Sequence, residues 1–315
     1  MCRFSGIYFS EPVSLDPYVT SIAEHSKLHA HGNGSVVLGE NGFLTHRSTD
    51  AAYLDPDFMA LGKLKARRAG FWVRHLSDGP IDLRHTQPFH HEGDAFPKFF
   101  HNGSVPRRKE LPLRDLVDPE FWVEGANDSR IYYGLFLTHL KRENALPDPT
   151  FQQSVRALAR ARRDIQTAAF YKDARPEEVQ VDAEARSRSV LLPAERYYVA
   201  AEGRVVPALN ALVVHRDYLI AARDGRTLYA AAGTASGKVE SVEDGLAVSW
   251  AVFASQPAAS ARHSVNQYLE VPEGSWVGVD DRSALRTGSL DTAAADQSPG
   301  SMAASAGVLR AAAQA

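Results

Sequence analysis

The sequence predicts an α+β sandwich. Short apolar and aromatic segments bounded by glycine occupy the first hundred residues. Two long helical patterns follow in the middle, and strand-like segments return after residue 205. Strands, then helices, then strands again is the order of an α+β domain, not of alternating βαβ units. With 315 residues, 44% hydrophobic and 23% charged, the chain is long enough to bury a substantial core.

Arg3–Phe9 is apolar and aromatic from its first residue and reads as a strand. Ser35–Leu38 and Phe71–Leu76 read the same way. Phe96–Phe100 is a further strand that runs into His101-Asn102-Gly103, a turn signal. Asp128–Glu143 is expected to be a helix, with Ile131, Leu135 and Leu140 close to one face and Asp128 as its cap. Thr150–Tyr171 carries Phe151, Val155, Leu158, Ile165 and Ala169 at three-to-four spacing. Arg156, Arg160, Arg162 and Arg163 fall on its other faces and are expected to be solvated. Residues 172–190 read as a polar connection. Val205–His215 and Tyr218–Arg223 look like a hairpin, and Ser249–Ala254 and Ser275–Val279 supply more strands. From Gly288 the chain is rich in alanine, serine and glycine. Residues 1–287 are therefore expected to form one domain and 288–315 a flexible tail.

Lysine and arginine number 35 against 38 acidic residues, a net charge of −3 that argues against a nucleic-acid binder. The first twenty residues lack a basic and an apolar signal region, and no window offers a run of apolar residues long enough to span a bilayer. No membrane association and a cytoplasmic location are expected. The single cysteine excludes an intrachain disulfide and a multi-cysteine metal site. His25, His29 and His31, and His90, His91 and His101, have spacings that ligate metals. Neither set is a standard zinc motif, and no metal or cofactor is expected.

The single cysteine is residue 2. Removal of Met1 would leave Cys2 with a free α-amine, whose ordinary pKa of about 7.7–8.0 suits it as the thiol's own general base. Three segments add to this. In Trp72-Val73-Arg74-His75-Leu76-Ser77 an arginine lies within an apolar strand, where its planar fork suits a carboxylate as well as a structural ion pair. Asn102-Gly103 is either a hairpin turn or a side-chain amide and backbone N–H aimed together at an oxyanion. Gly125-Ala126-Asn127-Asp128-Ser129 supplies either a plain helix cap or a carboxylate for a substrate ammonium.

Met-Cys-Arg-Phe, Val73-Arg74 with Ser77, Thr86-Gln87-Pro88-Phe89, His101-Asn102-Gly103 and Gly125-x-Asn127-Asp128-Ser129 stand in the order found in class II glutamine amidotransferases. The chain resembles these N-terminal-nucleophile (Ntn) hydrolases, and most closely their stand-alone γ-glutamyl amidohydrolases, such as the one in ergothioneine biosynthesis. Asn210–Arg223, Phe253-Ala254-Ser255-Gln256-Pro257 and Val271-Pro272-Glu273-Gly274-Ser275 extend the resemblance over residues 2–285. It implies an αββα four-layer sandwich and no cofactor. Cys2 would be the nucleophile, and Asn102 with the Gly103 N–H the oxyanion hole. Arg74, with Ser77 nearby, would hold an α-carboxylate, and Asp128 an α-ammonium. The departures lie around these positions. His31-Gly32-Asn33-Gly34 replaces Asp-Gly-Trp-Gly. Trp72 and Gln87 replace histidines, and Arg130 and Gln256 replace glutamates. Such changes around a site alter substrate preference or activity.

Three functions follow as expectations. The first is hydrolysis of a γ-glutamyl amide through a Cys2 thioester, releasing glutamate and an amine. The second is a glutaminase subunit supplying ammonia to a separate synthase, its partner protein. The third is a non-catalytic binding protein of the same fold.

Overall fold

The computed structural model describes residues 2–76, 80–105, 113–169, 198–199, 205–235, 240–242, 245–257 and 268–295. The chain opens with β1 (Arg3–Ser14), buried along most of its length. A helix, α1 (Asp16–Ser26), follows, with proline in its first turn and Tyr18, Val19, Ile22 and Ala23 on its buried face. Next come β2 (Asn33–Gly39) and β3 (Gly42–Ser48), then the short helix α2 (Pro56–Ala60). Asp55 caps α2 by accepting from the backbone N–H groups of Asp57 and Phe58. β4 (Lys65–Val73) returns antiparallel between β1 and β2. β13 (Trp250–Ala254), β10 (Tyr229–Gly233) and β14 (Leu269–Glu270) complete this sheet, in the order β14-β10-β13-β1-β4-β2-β3.

The second seven-stranded sheet has β5 (Lys98–Ser104) at one edge. β8 (Ala208–Val214), β9 (Leu219–Ala222), β15 (Ser275–Val279), β16 (Ala284–Ser289), β12 (Gly245–Ala247) and β11 (Glu240–Val242) follow across it. β6 (Tyr198–Val199) and β7 (Val205–Val206) form a separate two-stranded pair. The long helices α3 (Asp128–Arg142) and α4 (Phe151–Ala169) and the short α5 (Leu290–Ala294) complete the described α-helices.

Three hydrophobic clusters show how the layers stack. One holds Ile7, Val19, Ile22, Phe58 and Phe71, joining α1 and α2 to the first sheet. A second holds Phe4, Trp72, Phe100, Leu212 and Phe253, side chains from both sheets that meet between them. The third holds Phe99, Tyr132, Phe136, Leu158 and Ile220, joining α3 and α4 to the second sheet. The order is therefore helix, sheet, sheet, helix. Each fully buried large apolar side chain contributes about 1.5–3 kcal/mol. Among the described residues, no helix is long and apolar enough to cross a membrane.

Several expectations shift. His101-Asn102-Gly103 is not a turn but the interior of β5, where Asn102 lies opposite Asn210 and pairing runs on to Ser104. The Asn-Gly signal is overridden by this pairing with β8, to which Gly103 is suited. A Cβ there would stand 1.7 Å from the Ala208 carbonyl oxygen, so only glycine lets the strands meet. β4 ends at Val73, leaving Arg74 just beyond the ladder. Asn127, not Asp128, caps α3, its Oδ1 accepting from Arg130 N at 3.0 Å. Arg162 is buried against Asp224 and Asp291, while Arg156 and Arg160 pair with Glu143. The C-terminal boundary also moves. β16 runs to Ser289 and α5 buries Leu290 and Ala294, whereas residues 296–315, like 172–190, lie outside the described residues.

Candidate active site

Cys2 lies one residue before β1 and packs against the cluster between the sheets. Arg3 pairs with Val73, so Cys2 and Arg74 are the next residues along two neighbouring strands. The Cys2 thiol is 3.9 Å from the carbonyl oxygen of His75. Burial pushes the thiol pKa up from its ordinary value. The positive charges of the amino terminus and of Arg74 pull it down, and the charge of Asp128 adds to the rise. A thiol raised in this way needs a base before it can attack.

Arg74 is buried, with 4% of its surface exposed. Its backbone is fixed by Gly32 O and by the N–H of His31, at 2.8 and 3.1 Å. Its guanidinium donates to Pro80 O at 3.0 Å and forms no ion pair among the described residues. Burial lowers its pKa, while Cys2, Asp82 and Asp128 raise it. A buried guanidinium without a carboxylate partner has the charge and donors to hold one. Ser77 lies outside the described residues.

Asp128 sits in the first turn of α3. Its Oδ2 accepts from Val105 N at 2.8 Å, and its Oδ1 accepts from Ser129 N at 2.7 Å. The carboxylate thereby ties the end of β5 to α3, and its field reaches Cys2 and Arg74.

Asn102 points into the layer between the sheets, on the same face of β5 as Phe100. Its Nδ2 donates to Ser255 Oγ at 3.0 Å, and the same oxygen accepts from Phe4 N at 3.2 Å. Ser255 therefore links the amide of Asn102 to the backbone two residues from Cys2. Thr227 Oγ1 donates to Ser255 O at 3.2 Å. Asn210 holds the loop leading to Thr227 by donating to the Arg226 and Thr227 carbonyls and accepting from Asp224 N. Among the described residues the buried Asn102 Oδ1 has no partner.

On the opposite face, His101 Nε2 bonds Ala208 O at 2.9 Å, so that nitrogen carries the hydrogen. Burial lowers the imidazole pKa, and Nδ1 hydrogen-bonds Ser129 Oγ at 2.8 Å. The His101 backbone is gripped by two of the departures from the family pattern. Trp72 Nε1 and Gln87 Nε2 donate to His101 O at 3.3 and 3.2 Å, and Gln87 Oε1 accepts from His101 N at 2.6 Å. Gly34 makes room for this segment, since a Cβ there would stand 1.7 Å from Gln87 O. Trp72, Gln87 and Ser255 are the site-supporting residues whose roles sequence reasoning did not assign. Their partner atoms are backbone or hydroxyl groups without a spacing signature.

The histidine-rich segment reaches the same site. His29 and His31 each meet His75 edge-on, with ring centroids 5.6 Å apart. Burial and the charge of Arg3 push His29 down to about 3. Among the described residues, the one trio of ligand atoms close enough to share a metal is Asp148, His215 and Asp217. Arg216 contacts both of those carboxylates, and His215 Nε2 donates to Ala95 O, so the trio is an ion-pair cluster.

No family model and no curated protein matches the chain. Solved structures do. Glutamine phosphoribosylpyrophosphate amidotransferase from B. subtilis aligns at 17% identity and a TM-score of 0.52. That alignment covers 92% of this chain and 49% of the other, so this chain spans about half the length of that enzyme. The chain has the class II glutamine amidotransferase fold. A glutamine aminotransferase class-II domain protein from Silicibacter pomeroyi aligns at 15% identity and a TM-score of 0.51, covering 92% of this chain and 99% of that one. A predicted glutamine amidotransferase from Pseudomonas aeruginosa aligns at 16% and 0.50, covering 90% and 99%. The αββα Ntn-hydrolase sandwich is thus the architecture of this chain and of these neighbours.

Proposed function

We propose that the protein hydrolyses a γ-glutamyl amide. The convergence of Cys2, Arg74, Asp128 and Asn102 at one end of the layer between the sheets carries this reading. Arg74 receives the α-carboxylate, and Asp128 receives the α-ammonium. Together they set the γ-carbonyl against Cys2. With Met1 removed, the α-amine of Cys2 takes the thiol proton as sulfur attacks the carbonyl carbon. Asn102 and the Gly103 N–H stabilise the oxyanion. Ser255 can hold either end of the Asn102 amide. Its oxygen accepts from Nδ2, or its hydrogen is given to Oδ1, which turns both amide N–H groups toward the substrate. The α-ammonium then protonates the departing amine as the C–N bond breaks, leaving a γ-glutamyl thioester. Water, deprotonated by the same α-amine, attacks the thioester, and glutamate leaves as the thiol is restored.

A second reading is a glutaminase that passes ammonia to a separate synthase. It is motivated by the match to only half of a longer amidotransferase. Glutamine and γ-glutamyl amides assayed with wild type and Cys2→Ala test both. Turnover of γ-glutamyl amides by the chain alone, abolished in Cys2→Ala, supports the hydrolase. Turnover of glutamine only with an added synthase supports the second reading. Equal activity in wild type and Cys2→Ala overturns both.

A further inference from the structure

A group of basic side chains next to the site has no role in the chemistry above. Phe89 and Phe99 exchange backbone hydrogen bonds of 2.9 Å in both directions, which carries the 87–90 segment along the edge of the second sheet. His90 follows on that segment. Arg130, two residues after Asp128, lays its guanidinium over the Phe89 and Tyr133 rings, with Cζ 5.3 and 5.7 Å from the centroids. On the facing edge of the first sheet, Phe43 and Arg47 share one face of β3. Phe43 carries the ammonium of Lys98 over its ring at 5.3 Å, so β3 and the start of β5 approach each other here. Arg47 donates to Leu83 O at 3.4 Å. Among the described residues, neither Arg47, His90 nor Arg130 has a carboxylate within ion-pairing distance, and all three are partly exposed.

The electrostatics agree with this placement. Burial lowers the pKa of His90 and Arg130. Arg47 lowers both further by repulsion, and His90 also feels Lys98 and Arg130. Asp94 is the carboxylate whose field Lys98 feels. Two guanidinium groups without counter-charge, Arg130 laid over aromatic rings and Arg47 on the facing strand, with the His90 imidazole as a further hydrogen-bonding group, are arranged to receive an anion.

We propose that Arg47, His90 and Arg130 form a binding site for a compact anionic group, a carboxylate or a phosphate, adjoining the Cys2 site. The Gln87 carboxamide that grips His101 lies two residues before Phe89, and Asp128 lies two residues before Arg130. The anion is therefore either a second acidic group on the γ-glutamyl substrate or a free small anion. The first source rests on the hydrolase reading, and the second does not.

Two experiments on the full chain separate these sources. Inorganic phosphate is titrated at constant ionic strength and followed by NMR shifts, in wild type, Arg47→Gln, Arg130→Gln and Arg130→Lys. The site requires saturable shifts that weaken about tenfold in both Gln variants and persist in Arg130→Lys, which keeps the charge. In parallel, kcat/KM is measured for γ-glutamylglycine and for γ-glutamyl methylamide. A wild-type preference for the glycine amide that falls about tenfold in Arg130→Gln places the anion on the substrate. Loss of phosphate binding in the Gln variants with the preference unchanged assigns the site to a free anion. If the wild type hydrolyses neither amide, the hydrolase reading fails while the phosphate titration still decides the site. Phosphate shifts and amide preference identical in wild type and both Gln variants would overturn the proposal.

Discussion

The strand segment at His101–Gly103 and the arginine at Arg74 belong to the same candidate site but are held in opposite ways. The strand segment is fastened from every side. Trp72 and Gln87 hold the His101 backbone, Ser129 and Ala208 hold its ring, and Ser255 holds Asn102. Arg74 sits just past the end of β4, and its guanidinium keeps its charge without a carboxylate partner among the described residues. Donors that meet charge developing in a transition state act best when fixed beforehand, whereas a ligand's own charge needs an open counter-charge. The two regions should therefore fail differently when altered.

The largest separation is expected from Asn102→Ala, which on the proposed mechanism removes an oxyanion donor while leaving the charged groups in place. Its kcat for a γ-glutamyl amide should fall by about 10²–10³ with KM little changed. A rise in KM alone would place Asn102 in ground-state binding instead. Arg74→Gln should show the reverse, with KM rising by about 10–10² and a smaller loss in kcat, because on the same proposal it removes a charge-assisted contact to bound substrate. Steady-state kinetics on one amide with both variants reads the contrast directly. Equal kcat and KM effects in the two variants would erase the distinction between these regions.

The smallest effect concerns the imidazoles behind Arg74. His29 is held down to about 3 by burial, against about 6.5 in the unfolded chain. Over that interval the unfolded state binds the extra proton, so stability is lost as pH falls from about 6.5 toward 3. After allowance for solvent screening the loss is about 1–2 kcal/mol. Denaturant midpoints at pH 7 and pH 4 should differ less in His29→Gln than in wild type. An identical acid dependence would show that His29 protonates freely.

Much of the fold was legible in the sequence because its signals are local. The apolar runs at Arg3–Phe9 and Tyr218–Arg223 and the three-to-four spacing of α4 predict their elements directly. Asn102-Gly103 misled because a turn signal is only a local preference, and pairing with β8 outweighs it. The arginines of α4 misled in a similar way, since the partners of Arg162 lie more than sixty residues away. At the candidate site, order along the chain singled out Cys2, Arg74, Asn102 and Asp128 as candidates. The contributions of Trp72, Gln87 and Ser255 depend on which strands adjoin, and no spacing encodes that. Trp72 and Gln87, seen in sequence as departures from a pattern, are in the structure the groups that fix the His101 backbone.

The central claim is that Cys2 is an N-terminal nucleophile. Intact mass of the purified chain, before and after treatment with 6-diazo-5-oxo-norleucine, tests it most directly. The account requires a mass lacking Met1 and a single adduct on Cys2, blocked by excess glutamate γ-amide. A chain that retains Met1 and still hydrolyses γ-glutamyl amides at full rate would contradict it.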